Sequence, residues 1–154
     1  CPVLSDLVIA ISKETGAAVH QGKTYLVMEG PAFSTRAESN LYRAWGADVI
    51  GMTALPEAKL AREAEICYVL LACATDYDVW HAEAADVSVE DVVFNLGLNV
   101  ATSREILRRT LSRLPDKRTC SCSAALENSI ITSPEHITAS ARKRLDLLVG
   151  RYLH

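Results

Sequence analysis

The feature that most constrains this chain is a pattern that recurs along it: a short apolar run is followed by a polar corner, and the corner leads into the start of a helix. Three apolar runs, each short enough for a buried strand, occupy residues 25–28, 48–52 and 66–74. Corners rich in Gly, Pro, Thr, Asp or aromatic residues follow at 29–39, 51–57 and 75–80. Strands that alternate with helices pair in parallel, and α/β proteins hold ligands at the carboxyl edge of such a sheet. The sequence therefore predicts an α/β fold with one shared site at these corners.

Hydrophobic periodicity and capping signals predict the elements between the corners. Helices are expected at 2–15, from Thr35 to Gly46 with Glu38 completing a capping box, from Pro56 to 64, from a Ser88 cap to 114, and from Ser133 onwards. Strands are expected at 23–29, 48–52 and 66–74, with a short one at 18–20. Three strands that are apolar on both faces make a poor complete sheet, so we expect further strands from elsewhere.

Composition limits the class of protein. The 154 residues suffice for one domain, and 49% hydrophobic with 23% charged residues fits a soluble globular core. The net charge is −3, and the basic residues at 104–113 alternate with Glu105 as on a solvated helix face, so we expect no nucleic-acid partner. No apolar run reaches the ~20 residues that span a bilayer, so we expect no membrane partner and a cytoplasmic location.

The cysteines leave several possibilities open. Cys67 and Cys73 fall in an apolar run, where buried, unreactive thiols are expected. The pair Cys120 and Cys122 lies in a polar stretch and could form a tight disulfide, bind a metal with distant ligands, or remain as free thiols. Because no second Cys or His pair stands at the spacing of zinc ligands, we expect no metal site.

The three corners carry specific motifs. They read EGPAFSTRAES at 29–39, GADVIGMTALPEAKLAREAEICY at 46–68 and TDYDVW at 75–80. In this order and spacing they resemble the trimeric nucleoside phosphorylase family, and most of all its 5'-methylthioadenosine phosphorylase branch. The resemblance weakens after Pro115. It implies a phosphorylase/hydrolase-like three-layer sandwich, with a mixed sheet and helices on both faces, of which residues 1–154 form only the C-terminal portion of a single domain.

The resemblance also implies an activity. This is phosphorolysis of 5'-methylthioadenosine to adenine and 5-methylthioribose 1-phosphate, in methionine and purine salvage, with inorganic phosphate as co-substrate and no cofactor. The family's first strands and its glycine-containing phosphate loop have no counterpart here. We therefore expect catalysis to require a companion chain that carries the N-terminal half. The family further implies a homotrimer or a dimer of trimers.

Two carboxylates of the third corner suit the purine end of such a substrate. A carboxyl group in a dry pocket can donate to a purine nitrogen as the base leaves, and we assign this catalytic role to Asp76. Asp78 is expected to accept from the 6-amino group, with Thr75 beside the base. The 6-oxo branch of the family commonly has Asn at the position of Asp76, which favours an adenosine-type substrate here. Without the resemblance, both aspartates would be interpreted as turn-capping residues.

The remaining site residues follow from the resemblance. Phe33 is expected to contact the purine or ribose, Met52 the ribose, and Thr53 the phosphate through its hydroxyl and N–H groups. A small apolar pocket for the 5'-methylthio group is implied by residues of the fourth helix, namely Val89, Val92 and Val93. The same residue types also suit a core Phe, a core Met and the buried face of an amphipathic helix.

Two other functions stay open at this level. Within enzymes, the chain could belong to a phosphorylase of ordinary purine nucleosides or of methylthioinosine. In another class, it could be a non-catalytic fragment that retains oligomer contacts or purine binding. Substrate comparison and equilibrium binding distinguish these possibilities.

Overall fold

In a computed structural model, residues 1–80 and 89–153 are described, and they form five helices and a two-stranded sheet. The helices are α1 (Pro2–Glu14), α2 (Arg36–Ala44), α3 (Glu57–Glu63), α4 (Val89–Ser112) and α5 (Ala139–Val149). The strands are β1 (Tyr25–Val27) and β2 (Val49–Gly51). Short 3₁₀ turns occupy Ser121–Ala124, Pro134–His136 and Gly150–Tyr152.

The two strands pair in parallel, as the alternation of strands and helices predicts. Tyr25 lies opposite Val49, and Val27 lies opposite Gly51, with α2 as the crossover between the strands. The pairing continues past β1, since the Met28 N–H donates to the Gly51 carbonyl at 2.9 Å. The corners at 29–39 and 51–57 therefore leave the sheet at the same edge.

The prediction of a third strand at residues 66–74 is wrong among the described residues. Residues 66–74 have no ladder partner among the described strands, and two of their carbonyl groups accept hydrogen bonds from outside any sheet. The Cys1 amino group donates to the Tyr68 carbonyl at 2.7 Å, and Asn99 Nδ2 donates to the Ala74 carbonyl at 2.8 Å. Burial was also overestimated, because Cys67 is half-buried and Cys73 is exposed. Apolar composition gives a segment its preference for a sheet, but a strand also needs a neighbour.

Helix boundaries follow the local signals closely in most places. The Thr35–Glu38 capping box is present, with the Thr35 side chain accepting from the Glu38 N–H and the Glu38 carboxylate from the Thr35 N–H. Residues 18–20 are not a strand, and the last helix begins after a Thr138 cap rather than at Ser133, where a 3₁₀ turn forms instead. The predicted Ser88 cap lies outside the described residues.

No helix among those described is both long and apolar enough to cross a bilayer.

The buried apolar core lies between α1 and α4. Val8 and Ile11 pack against Ile106, and Leu4, Leu7 and Val69 border the cluster. Glu14 joins the ends of these helices by accepting from Arg113 at 2.7 Å, and this hydrogen bond lowers the pKa of Glu14. Much apolar surface of α4 stays outside this core, including Leu96, Leu98, Leu107 and Leu111, which are 50–69% exposed. The described residues therefore bury only a small core for their length.

A single buried carboxylate anchors the C-terminal segment. Glu65 is 8% exposed, and its oxygens accept from the Leu126 N–H at 3.0 Å and the Tyr152 hydroxyl at 2.6 Å. Arg151 completes the set with an ion pair to the same carboxylate. The Glu65 backbone has a φ of 54°, a left-handed value that is uncommon outside glycine and persists where surrounding contacts enforce it. This residue joins the end of α3 to two distant parts of the chain.

Candidate functional site

A cleft of about 660 Å³ opens at the carboxyl ends of β1 and β2. It brings together the three corners that the sequence analysis singled out. The predicted residues on its wall are Phe33, Met52, Thr53, Thr75, Asp76 and Asp78. The three corners therefore line one cleft, and residues 66–74 lead to it as an irregular segment rather than a strand.

The first corner depends on a glycine. Gly30 has a φ of +72°, and a Cβ atom at this position would lie 2.6 Å from the Met52 Sδ atom. The positive φ favours glycine at this position, and a larger residue would also oblige the flexible Met52 side chain to move. Beyond this turn, the Phe33 side chain is 87% exposed and lines the cleft. An aromatic face open to a cleft is available to stack on a planar ligand.

Asp78 fastens the first corner to the third. Its carboxylate accepts from the Ser34 hydroxyl at 3.3 Å, from the Val79 N–H at 2.9 Å and from the Ser39 hydroxyl. Ser34 is 8% exposed and Ser39 only 1%, so both hydroxyls are shielded from water. A carboxylate offers about four lone-pair sites, and the three donors among residues 1–80 and 89–153 leave one of them for a ligand. Asp78 therefore holds two loops together and keeps one acceptor position.

Asp76 lies on the same loop but is exposed at the cleft. Its carboxylate accepts from the hydroxyl of Thr75. The loop backbone is held from behind by α4, since Asn95 Nδ2 donates to the Thr75 carbonyl at 2.9 Å. With the Asn99 contact to Ala74, two amides one helical turn apart fix this segment. No local sequence pattern predicts these two hydrogen bonds, because they join residues that are 20 and 25 positions apart.

Arg43 and Trp80 form one end of the cleft, and neither was predicted as a site residue. The Arg43 guanidinium lies 3.5 Å from the centre of the Trp80 ring, a cation–π contact. Tyr77 packs edge-on against the same ring, with ring centres 6.2 Å apart. The sequence signal for this end of the cleft was Trp80 of the TDYDVW motif. A large aromatic side chain so close to two carboxylates can line the same site.

Three predicted residues stand apart from the cleft. Val89 and Val93 are 74% and 61% exposed on the first turns of α4, and Val92 is half-buried. None of these three lines the cleft that holds Asp76. They share a helix with Asn95, which contacts the Asp76 loop directly. Their assignment to a 5'-substituent pocket stays a prediction.

Replacing Ser39 with alanine should loosen the link between the two corners. A hydrogen bond to a charged group contributes about 1.5–3 kcal/mol, so Ser39→Ala should lower the free energy of unfolding by about this amount. Chemical denaturation followed by circular dichroism measures the loss. Ser129→Ala, at an exposed serine, is the control and should change the stability little. Equal effects of the two variants would contradict a stabilising contact at Asp78.

Sequence comparison identifies the relatives of this chain. A family model described as "Phosphorylase superfamily" matches residues 1–112. S-methyl-5'-thioadenosine phosphorylase of Geobacter sulfurreducens is 53% identical over 99% of the chain and 54% of its own length. That of Chloroflexus aurantiacus is 49% identical over 99% of the chain and 53% of its own length. The chain thus spans about half the length of the curated relatives it matches.

Solved structures agree on the fold. The crystal structure of a methylthioadenosine phosphorylase sourced from an Antarctic soil metagenomic library matches with a TM-score of 0.85 and 38% identity, covering 96% of this chain and 53% of the other. Methylthioadenosine phosphorylase from Schistosoma mansoni in complex with adenine matches with a TM-score of 0.71 and 28% identity, covering 82% and 50%. Motifs, cleft and comparisons agree: the chain belongs to the phosphorylase superfamily.

Proposed function

We propose that this chain supplies the base and sugar side of an active site for phosphorolysis of 5'-methylthioadenosine. The products are adenine and 5-methylthioribose 1-phosphate. The observation that carries the proposal is the pair Asp76 and Asp78 at one cleft, on a loop fixed by two buried serines and two asparagines. The names of the relatives support the same reaction. We place the reaction in the cytoplasm, in salvage of methionine and purine.

The reaction breaks the bond between the anomeric carbon and N9 of the purine. The electron pair of that bond moves into the base, and a proton delivered to N7 neutralises the charge that develops there. A phosphate oxygen then forms the new bond to the anomeric carbon. General acid catalysis of this kind contributes about 10²–10⁴-fold to the rate. We assign this proton to Asp76, which is exposed at the cleft in the described residues, and its carboxyl can carry the proton once the bound base and the rest of the enzyme exclude water from it.

Asp78 would use its remaining acceptor position to recognise the base. A 6-amino group donates to a carboxylate, whereas a 6-oxo group presents a lone pair and is repelled. Because Ser34 and Ser39 fix the carboxylate, it cannot turn away from an unsuitable base without breaking buried hydrogen bonds. This rigidity supports adenine over hypoxanthine or guanine.

The sugar and phosphate are assigned to the second corner and its neighbours. Met52 would lie against the ribose, and Thr53, exposed at the cleft, would donate to phosphate through its hydroxyl and backbone N–H. Phe33 would cover the base or the ribose. Val89, Val92 and Val93 would border the 5'-methylthio group once α4 is packed in the complete enzyme. The reaction proposed here uses no metal and no cofactor in its chemistry.

Catalysis would require the part of the relatives' length that lies outside these 154 residues. Thr53 is the phosphate contact we assign in this chain, and one hydroxyl and one N–H do not neutralise a phosphate dianion. We infer that the N-terminal half, on the same or a companion polypeptide, supplies the remaining contacts. We further propose a homotrimer or a dimer of trimers as the complete assembly.

One substrate panel tests the proposal. Adenosine, inosine and their 5'-methylthio derivatives are each assayed with phosphate, using these residues alone and then joined to the N-terminal half. We expect turnover only by the completed protein, with the highest kcat/KM for 5'-methylthioadenosine. A preference for 6-oxo nucleosides would instead indicate a purine nucleoside or methylthioinosine phosphorylase. Binding of adenine without turnover by the completed protein would indicate a non-catalytic chain. Turnover by these residues alone would contradict the need for the other half.

A further inference from the structure

Four cysteines from distant parts of the chain meet at one point. Cys1 precedes α1, Cys67 follows α3, and Cys120 and Cys122 flank the start of the Ser121–Ala124 turn. Their Sγ atoms all lie within 4.8 Å of one another, and all four residues are half-buried. The Sγ atoms of Cys67 and Cys120 are 3.4 Å apart. Such convergence brings together side chains separated by more than 50 residues.

We propose that this cluster binds a structural zinc ion through four thiolates. Zinc–sulfur bonds of about 2.3 Å in a tetrahedron place the sulfur atoms about 3.8 Å apart, which the four cysteines reach with only small side-chain adjustments. Zinc binding deprotonates the four thiols and releases their protons to the solvent, and the resulting thiolates would repel one another at this distance without a cation. A divalent, thiophilic ion removes that repulsion and gains a closed coordination shell, which is typical of structural rather than catalytic zinc.

Disulfide bonding explains the cluster less well. A disulfide brings two sulfur atoms together, and two disulfides need only two close pairs. Here every sulfur lies within 4.8 Å of the three others, an arrangement that a single central ion requires and disulfides do not. We expected no metal site from the sequence because no second pair of Cys or His residues lies close together along the chain. The fold instead supplies Cys1 and Cys67 as the second pair, separated by 66 positions in the sequence.

Neighbouring contacts already orient the proposed ligands. The Leu4 N–H donates to Cys1 Sγ at 3.5 Å, at the N-terminus of the 13-residue helix α1. Backbone donors of this kind stabilise a thiolate and hold it in position. None of the four cysteines lines the cleft that holds Asp76. The ion would therefore cross-link the start of α1, the segment after α3 and the Ser121–Ala124 turn, without taking part in catalysis.

Metal content, coordination and stability test the site directly. The protein is purified under reducing conditions without chelator, and zinc is measured by mass spectrometry together with a count of free thiols. We expect equimolar zinc, an X-ray absorption spectrum with a sulfur-only shell at about 2.3 Å, and cobalt substitution with the intense visible absorption of a tetrahedral thiolate site. A zinc chelator should lower the midpoint of thermal unfolding.

Variants distinguish the cluster from an incidental thiol. Cys67→Ser and Cys120→Ser should each lose most of the bound zinc and the response to chelator. Cys73→Ser removes an exposed cysteine outside the cluster and should retain both. The proposal is overturned by any of three results: no zinc binding by the reduced protein, nitrogen or oxygen atoms dominating the coordination shell, or disulfides that persist when zinc is supplied. The metal measurements on the wild-type protein need no enzymatic activity, and they still test the proposal if a serine variant folds poorly.

Discussion

Asp76→Asn should reduce kcat/KM for 5'-methylthioadenosine by about 10²–10⁴-fold in the completed protein, the range expected when a general acid is removed. An asparagine amide can still donate a hydrogen bond to N7, but it cannot transfer a proton to the departing base. The loss should therefore fall mainly on kcat, with a smaller change in KM. Steady-state kinetics with 5'-methylthioadenosine and phosphate measure both constants.

The same variant should change the choice of base. An amide tolerates a 6-oxo purine better than a carboxylate does, so kcat/KM for methylthioinosine should fall less than that for 5'-methylthioadenosine. Asp116→Asn, at an exposed loop position away from the cleft, is the matched control and should leave both substrates unaffected. A less than tenfold loss for 5'-methylthioadenosine would remove Asp76 from its catalytic role. An equal loss for both substrates would leave its role in selecting adenine without support.

Glu65→Gln should destabilise the fold more than Ser39→Ala does, because it disturbs several contacts at once. The amide keeps one acceptor oxygen, but its NH₂ group would face either Arg151 or the donors Leu126 and Tyr152. Leaving a buried donor or cation without its acceptor is the unfavourable part of this change. Thermal unfolding should show a midpoint lower by several degrees. Glu63→Gln, at an exposed carboxylate two residues earlier, should leave the midpoint nearly unchanged.

Acid should weaken the wild-type protein through the same carboxylate. Desolvation alone would raise the pKa of Glu65, but hydrogen bonds from Tyr152 and Leu126 and the charge of Arg151 outweigh it, so the pKa lies below its ordinary value of 4.5. A carboxyl group with a lowered pKa stabilises the folded state fully above its unfolded value and loses this contribution as pH falls through the folded value. The stability difference between wild type and Glu65→Gln should therefore shrink below about pH 4.5. A difference that is constant with pH would show that the charge of Glu65 contributes nothing.

The sequence predicted what depends on near neighbours. The Thr35–Glu38 capping box involves residues three positions apart, so its signal is complete within one helical turn. The parallel pairing of β1 and β2 follows from the strand–helix–strand order. The TDYDVW motif singled out Asp76 and Asp78, the cleft brings them together with Met52, and their roles stay predictions.

Features that depend on distant neighbours escaped prediction. The bonds from Ser34 and Ser39 to Asp78 cross 44 and 39 residues, and no local pattern marks them. Residues 66–74 have the composition of a strand, yet the Tyr68 and Ala74 carbonyls accept from Cys1 and Asn99 instead of from a neighbouring strand. At the last helix, Ser133 and Thr138 are both good caps, and only tertiary packing decides between them. Local chemistry states what a segment can do, and its neighbours decide which possibility is realised.

The exposed leucines of α4 have a thermal consequence. Because Leu96, Leu98, Leu107 and Leu111 remain in water, folding of these residues alone removes little apolar surface and should have a small heat-capacity change. Any association that covers the helix would then carry the larger, negative heat-capacity change. Since hydrophobic attraction weakens on cooling, such an assembly would loosen in the cold while its component chains stay folded.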